Sequence, residues 1–276
     1  MEPQRIVSQD EWLAARKAHL AEEKAFSKAR DALSKKRREL PWVKVDKTYV
    51  FDGPNGKETL ADLFGGKSQL IVYHFMLGPD WEAGCPSCSL LADHFDGTVA
   101  HLAQRDVTFL VVSRAPLPQI EKFKRRMGWH FKWVSSFGND FNYDYHVSAT
   151  PEEKASGKAM YNYEMTTFPS EERPGASVFY KNENGEILHT YSSYGRGLDM
   201  LIGTYHMLDL APKGRDEEGL AWSMAWVRHH DRYDGAAVDP RAQYVEPKTS
   251  SASCCTKIPC NQVPATKSLQ PSRSRP

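Results

Sequence analysis

Residues 69–89 read QLIVYHFMLGPDWEAGCPSCS, and the order of their parts decides the fold. Residues 69–76 are a nearly continuous apolar run, the pattern of a strand buried on both faces at the centre of a sheet. A short loop follows. Then Gly84-Cys85-Pro86-Ser87-Cys88-Ser89 opens a stretch to about residue 104, in which Leu91, Phe95, Val99 and Leu102 recur at helical spacing. Pro86 suits a first helical position, where its missing N–H costs nothing. Strand, cysteine pair and helix in that order predict an α/β domain.

Working outward, residues 107–113 read as another buried strand and 116–127 as an amphipathic helix with Ile120 and Phe123 inward. Residues 131–135 read as a short strand. Residues 177–181 and 186–191, joined by Asn182-Glu183-Asn184-Gly185, read as a hairpin. Upstream, residues 42–45 and 48–51 alternate, and Asp52-Gly53-Pro54-Asn55-Gly56 makes a turn. Residues 8–39 predict one long helix: Ser8 with Glu11 fits a capping box, and Pro41 ends it. Trp12, Phe26 and Leu33 lie near one face of that helix, which is expected to pack on the body or on a second subunit. Residues 137–174 have mixed loop character. Residues 198–208 and 220–230 read as two further helices, amphipathic rather than cofactor boxes. The strand–helix–strand units predict a mixed sheet with helices on both faces.

The chain has 276 residues, a formal net charge of +1, seven Trp, twelve Tyr and five Cys. Its length allows a sizeable core. Its near-neutral charge gives no electrostatic footprint for a nucleic-acid or membrane partner. No apolar run reaches the length of a membrane span, and the N-terminus is charged and helix-like. We therefore expect a cytoplasmic protein, in whose reducing surroundings a Cys-x-x-Cys pair is catalytic or metal-binding more often than a structural staple.

The order of elements resembles the thioredoxin fold, in its branch shared with alkyl-hydroperoxide-reductase and TlpA-type proteins. "YVFDGPNGKETLADLFGGKSQLIVYHFM" resembles that branch's hairpin and first central strand, "GCPSCS" its redox motif, and "SVFYKNENGEILHTY" its closing hairpin. A closer resemblance is to a largely bacterial family of unknown function, labelled as predicted dithiol-disulfide oxidoreductases. It rests on "LPWVKVDKTYVFDGPNGKETLADLF", "GPDWEAGCPSCSLLADHFDG", "FLVVSRAPLPQIEKFKRRMGW", "SSFGNDFNYDYHVS", "GRGLDMLIGTYHMLDLAPKGRDE" and "WVRHHDRYD", and spans about residues 1–235. It implies a thioredoxin-like domain over 41–235, after a helical extension at 1–40 and before a tail at 236–276 whose composition predicts disorder. Thioredoxins carry a Pro directly before the strand facing the cysteines. With that strand beginning at Ser177, Pro174 is displaced, and Pro174, Ala176 or Ser177 takes the slot. The position of the thioredoxins' buried acid falls nearest His74, a candidate proton acceptor for the resolving cysteine.

The chemistry expected is thiol–disulfide exchange on a protein or small-thiol substrate, with an unidentified reductant and no cofactor. Cys85 attacks as a thiolate stabilised by the helix start, and Cys88 resolves the mixed disulfide. Asp80 and Glu82 oppose that stabilisation by charge repulsion. Other readings stay open: a zinc site completed by His74, His94 or His101, a silent structural pair, or an interaction module that oligomerises through the N-terminal helix. A c-type haem is excluded because Ser89, not His, follows Cys88. An iron–sulfur cluster lacks thiolates. The peroxiredoxin pattern Pro-x-x-x-Thr/Ser-x-x-Cys fails for both cysteines, Gly78 and Glu82 standing at those positions for Cys85 and Trp81 and Cys85 for Cys88.

Other groups able to bear chemistry lie outside the motif. Arg228-His229-His230-Asp231-Arg232-Tyr233 reads as the solvated end of a helix, or as a group lining the site. Residues 137–146, with Asp140 and Asp144, read as a packed loop or a substrate lip. His94 falls off the face of Cys88. Cys254, Cys255 and Cys260 lie in the tail without metal-site spacing.

Overall fold

A computed structural model describes residues 4–167 and 169–233, all within one structural unit. The tail, its three cysteines and its expected disorder lie outside the described residues. Helix α1 (Gln9–Arg38) begins at Ser8, whose hydroxyl accepts the Glu11 amide. Only this half of the capping box forms, because the Glu11 carboxylate is taken by Arg5. None of its 30 residues is buried, so the face bearing Trp12, Phe26 and Leu33 does not pack on the body.

The strands β1 (Val43–Lys44), β2 (Val50–Gly53), β3 (Gly56–Thr59) and β4 (Gln69–His74) come next, a 3-10 turn at Asp62–Phe64 preceding β4. Then follow helices α2 (Pro86–Ala92) and α3 (Asp96–Ala103), strand β5 (Val107–Ser113), helix α4 (Leu117–Arg126) and strand β6 (Trp133–Ser135). The segment read as mixed loop contains helices α5 (Phe141–Asp144) and α6 (Pro151–Ser156) and a small hairpin, β7 (Ala159–Tyr161) and β8 (Glu164–Thr166). Strands β9 (Gly175–Lys181) and β10 (Ile187–Tyr194) precede a 3-10 helix, Gly195–Leu201, and helix α7 (Gly203–Leu208).

One eight-stranded sheet has the order β1-β10-β9-β4-β5-β6-β2-β3. Strands β4, β5 and β6 run parallel, and β9 lies antiparallel on the other edge of β4. A parallel pair joined by helices, with a closing antiparallel hairpin beside its first strand, is the thioredoxin-like arrangement expected of the sequence. Alternation along β4 sends Leu70 and Val72 to a core with Phe51, Phe141 and Phe179. It sends Tyr73 to the opposite core, shared with Phe75, Cys88, Leu91, Phe95 and Trp133.

Four expected elements differ. The helix over 86–104 is two helices, because residues 94 and 95 close tighter i+3 bonds, with His94 N–H on Leu91 and Phe95 N–H on Ala92. That step turns Phe95 onto Tyr73, Phe109 and Phe131. The helix over 198–208 likewise breaks at Ile202. Residues 220–230 are turns rather than a helix. The Glu217 carboxylate accepts the Met224 amide and the Trp226 indole, and Met224 takes a positive φ of 68°. Strand β9 starts at Gly175 instead of Ser177, because pairing to β4 continues through Gly175 opposite His74.

The aromatic layer under α4 fixes the loop before α2. A Cβ at Gly84 would stand 2.5 Å from Phe75 and 2.6 Å from Phe123, themselves packed edge-on or tilted against Trp129 and Trp133. Gly84→Ala is expected to destabilise the fold by about 1–3 kcal/mol through overpacking, read as a lower midpoint in urea unfolding at unchanged slope.

Candidate dithiol site

Cys85 is the N-cap of α2 and Pro86 its first residue. The Cys85 amide donates to the Met76 carbonyl at 3.0 Å, tying the helix start to the end of the central strand. The Cys85 carbonyl accepts both the Ser89 amide and the Ser89 hydroxyl. Both cysteines are free thiols, Cys85 half-buried and Cys88 buried. The Cys85 thiol is lowered to about 7. The largest cause is a hydrogen bond from the Cys88 thiol; burial opposes it; the amides of Cys88 and Ser87 and the Ser87 hydroxyl add to it. Neither Asp80 nor Glu82 is among the main causes. Cys88 is pushed well up, first by burial and then by its bond to Cys85. The buried Tyr73 hydroxyl acts on Cys88 in the opposite sense, and has no oxygen or nitrogen partner.

The expectation for His74 is overturned. Its imidazole lies on the far face of β4, stacked on Tyr145, with Nε2 2.8 Å from the Ser177 hydroxyl. Burial pushes it down to about 3. The strand period of two places Tyr73, not His74, towards the cysteines. The proline slot is also resolved. Since β9 begins at Gly175, Pro174 stands directly before the strand and lines a cavity together with Cys85 and Cys88. Ala176 packs beside Tyr73, and Ser177 faces away towards His74. Pro174 is held by its carbonyl, which accepts the Tyr161 hydroxyl, while that hydroxyl accepts the Gly195 amide. Just upstream, buried Glu172 takes Arg114 and the Ser148 hydroxyl.

The cavity measures about 260 Å³. Met76, Leu91, Leu198 and Ile202 supply apolar wall, and Arg196, Asp199, Arg215, Glu217 and Met224 also line it. Glu217 accepts the Tyr205 hydroxyl at 2.6 Å, and Arg215 lies 3.9 Å over the Tyr205 ring.

The 228–233 cluster is no helix end. Arg126 donates to both Asp231 oxygens and, at 3.1 Å, to His229 Nδ1. Since a guanidinium only donates, Nδ1 accepts, and Nε2–H of a neutral His229 donates to the Gly84 carbonyl at 2.8 Å. His230 pairs with Asp93 at 2.8 Å, which raises its pKa. The segment thus straps the residue before Cys85. Sequence reasoning missed Tyr73, Tyr161 and this strap. Only the alternation of β4 carried a signal, for Tyr73.

Residues 137–146 do not reach the cysteines. Phe141 and Tyr145 fill the far-face core, and Asp140 and Asp144 hold Lys47. His94 is occupied by Thr204. Among the described residues no group of three His, Cys, Asp or Glu could hold a metal, and no helix is long and apolar enough to cross a membrane.

A family model described as bacterial protein of unknown function (DUF899) matches residues 1–233. No curated protein matches the chain. Among solved structures it is similar to the peroxidoxin BcpB of Mycobacterium tuberculosis, at 13% identity over 59% of this chain and 94% of that one, TM-score 0.36. It is similar to the bacterioferritin comigratory protein of Xanthomonas campestris, at 13% over 58% and 95%, TM-score 0.38. It is also similar to the mitochondrial 2-Cys peroxiredoxin of Plasmodium falciparum, at 14% over 60% and 92%, TM-score 0.37. At such identities and TM-scores these likenesses carry nothing about activity or site residues. The match over 1–233, which takes in every element described above, places the chain in the bacterial family of unknown function DUF899.

Proposed function

We propose that the protein is a thiol–disulfide oxidoreductase whose catalytic residues are Cys85 and Cys88. The observation that carries this reading is the asymmetry of the two thiols. Cys85 borders a cavity and loses its proton near neutrality, whereas Cys88 is buried and keeps its own. That division suits an attacking and a resolving sulfur. The Cys85 thiolate attacks one sulfur of a substrate disulfide. The substrate S–S bond breaks, and one half leaves as a thiolate while the other stays as a mixed disulfide on Cys85. Cys88 then gives its proton to a leaving thiolate and attacks the Cys85 sulfur. The second half departs, two electrons having passed to the substrate, and a Cys85–Cys88 disulfide remains for an external dithiol to reduce. The same steps reversed oxidise a dithiol.

Two measurements test this. In a redox titration read by thiol alkylation and mass, Cys85 and Cys88 are expected to interconvert reversibly between dithiol and disulfide. Cys85→Ser should abolish exchange, and Cys88→Ser should stop it at the mixed disulfide. A pair that never oxidises reversibly removes the reading. In the second, iodoacetamide labelling of Cys85 should rise with pH through a midpoint of about 7 and level off above it, since only the thiolate reacts. Cys88→Ser replaces the largest stabilising donor with a hydroxyl at altered reach, and is expected to move that midpoint up. An unshifted midpoint would assign the lowered pKa to the helix amides alone.

Helix α1 supports a second role beside the first. Its 30 residues bury nothing, and Trp12, Phe26 and Leu33 are all exposed. Self-association through this face fits an unpartnered apolar stripe. Sedimentation of the wild type should then give a mass above the monomer, falling to the monomer in Trp12→Ala/Phe26→Ala/Leu33→Ala.

A further inference from the structure

Resting on the dithiol reading, we propose that the cavity beside Cys85 binds a small disulfide with a predominantly apolar body, and that disulfides on folded proteins are poor substrates. Size is the first argument. At about 260 Å³ the cavity falls just below the roughly 300–1,000 Å³ of sites for drug-sized ligands. Chemistry is the second. Its wall is apolar, from Met76, Leu91, Leu198 and Ile202. Among the described residues the lining cations are Arg196 and Arg215, each in an ion pair with a carboxylate, Arg196 exposed and Arg215 mostly covered. Arg196 meets Asp199 at 3.0 Å, and Arg215 meets Asp209 through two bonds of 2.8 Å and Asp199 at 3.3 Å. A carboxylated ligand would have to compete with Asp199 and Asp209 for these cations and would lose its own hydration.

The third argument is the cover. A flat, open cysteine face would suit a protein partner, but here residues 195–233 fold across the cysteine side. Glu217 gathers three donors from this cover, the Tyr205 hydroxyl, the Met224 amide and the Trp226 indole. Val227 is buried in the same core as Cys88, and His229 bonds the Gly84 carbonyl. This cover leaves Cys85 only partly exposed beside the cavity, and a surface loop of a folded protein would have to enter past it.

The test uses the reduced full-length chain with two activated aromatic disulfides, neutral dithiodipyridine and dianionic dithiobis(nitrobenzoate), each rate normalised to that with free cysteine. The rate with the neutral probe should saturate and exceed that with the dianion by at least about tenfold, the factor that about 1.4 kcal/mol supplies. Ser223→Trp, at the exposed rim of the cavity, should remove saturation and slow the neutral probe by a similar factor. It should leave the pH midpoint of Cys85 labelling unchanged. Insulin disulfides should be reduced no faster than by a free dithiol. Equal normalised rates for the two probes, an unaffected Ser223→Trp, or rapid insulin reduction would each overturn the proposal. The same labelling in Cys88→Ser reads the cavity without a disulfide couple. Saturation there together with an irreversible wild-type pair would sink the dithiol function alone, and a reversible pair with no saturation would sink this inference alone.

Discussion

The hydrogen bond from the Cys85 amide to the Met76 carbonyl sets where α2 begins relative to the end of β4. The first-turn amides of a helix have no partner within it, and their fate here can be followed one by one. The Cys85 amide goes to the strand. Pro86 has none to place. The amides of Ser87 and Cys88 turn to the Cys85 sulfur, and that of Ser89 closes the first helical bond to the Cys85 carbonyl. A residue other than Pro at 86 would add a donor needing water in a partly covered site. A residue other than Gly at 84 would lift the loop off Phe75 and Phe123 and break the register between strand end and helix start.

From that register comes the inequality of the two sulfurs. One helical turn separates them, and although both line the cavity, Cys85 stays partly exposed while Cys88 is buried in the core with Leu91 and Phe95. Burial works against the charged form of both. For Cys85 the donors outweigh it, and for Cys88 they do not. The bond between the thiols sharpens the difference, since whatever proton Cys88 retains becomes a donor for Cys85. Neither charged side chains nor a histidine is needed to produce it.

The sheet and the cysteine pair were legible in the sequence because their signals are local. Nearly continuous apolar runs mark β4 and β5, a helical stripe marks α4, and an Asn-Glu-Asn-Gly turn whose Gly185 takes φ 80° joins β9 to β10. The cover over the site was not legible, for the opposite reason. Residues 220–230 carry a helical pattern of apolar residues, yet the Glu217 carboxylate captures amide and indole donors that a helix would have left to its own carbonyls. The bond from His229 to Gly84 spans 145 residues, a distance over which no spacing rule speaks. The start of β9 was missed by two residues, small for a strand boundary but enough to misplace Pro174 relative to the cysteines.

The error over His74 has a physical lesson of its own. Neighbouring residues of a strand serve opposite faces, so an alignment uncertain by one position moves a side chain through the whole sheet. His74 anchors a chain on the far side: its Nε2 meets Ser177 at 2.8 Å, Ser177 meets Ser192 at 2.8 Å, and Ser192 meets His189 at 2.7 Å. That chain crosses β4, β9 and β10: its first two links pin the register of one strand on the next, and the third orients His189 within β10. Because Pro174 stands immediately before β9, the polar chain on one face helps fix where the proline stands on the other. A histidine that touches neither cysteine thus contributes to the shape of their cavity, through the strand it shares with Tyr73 and the strand it holds in place.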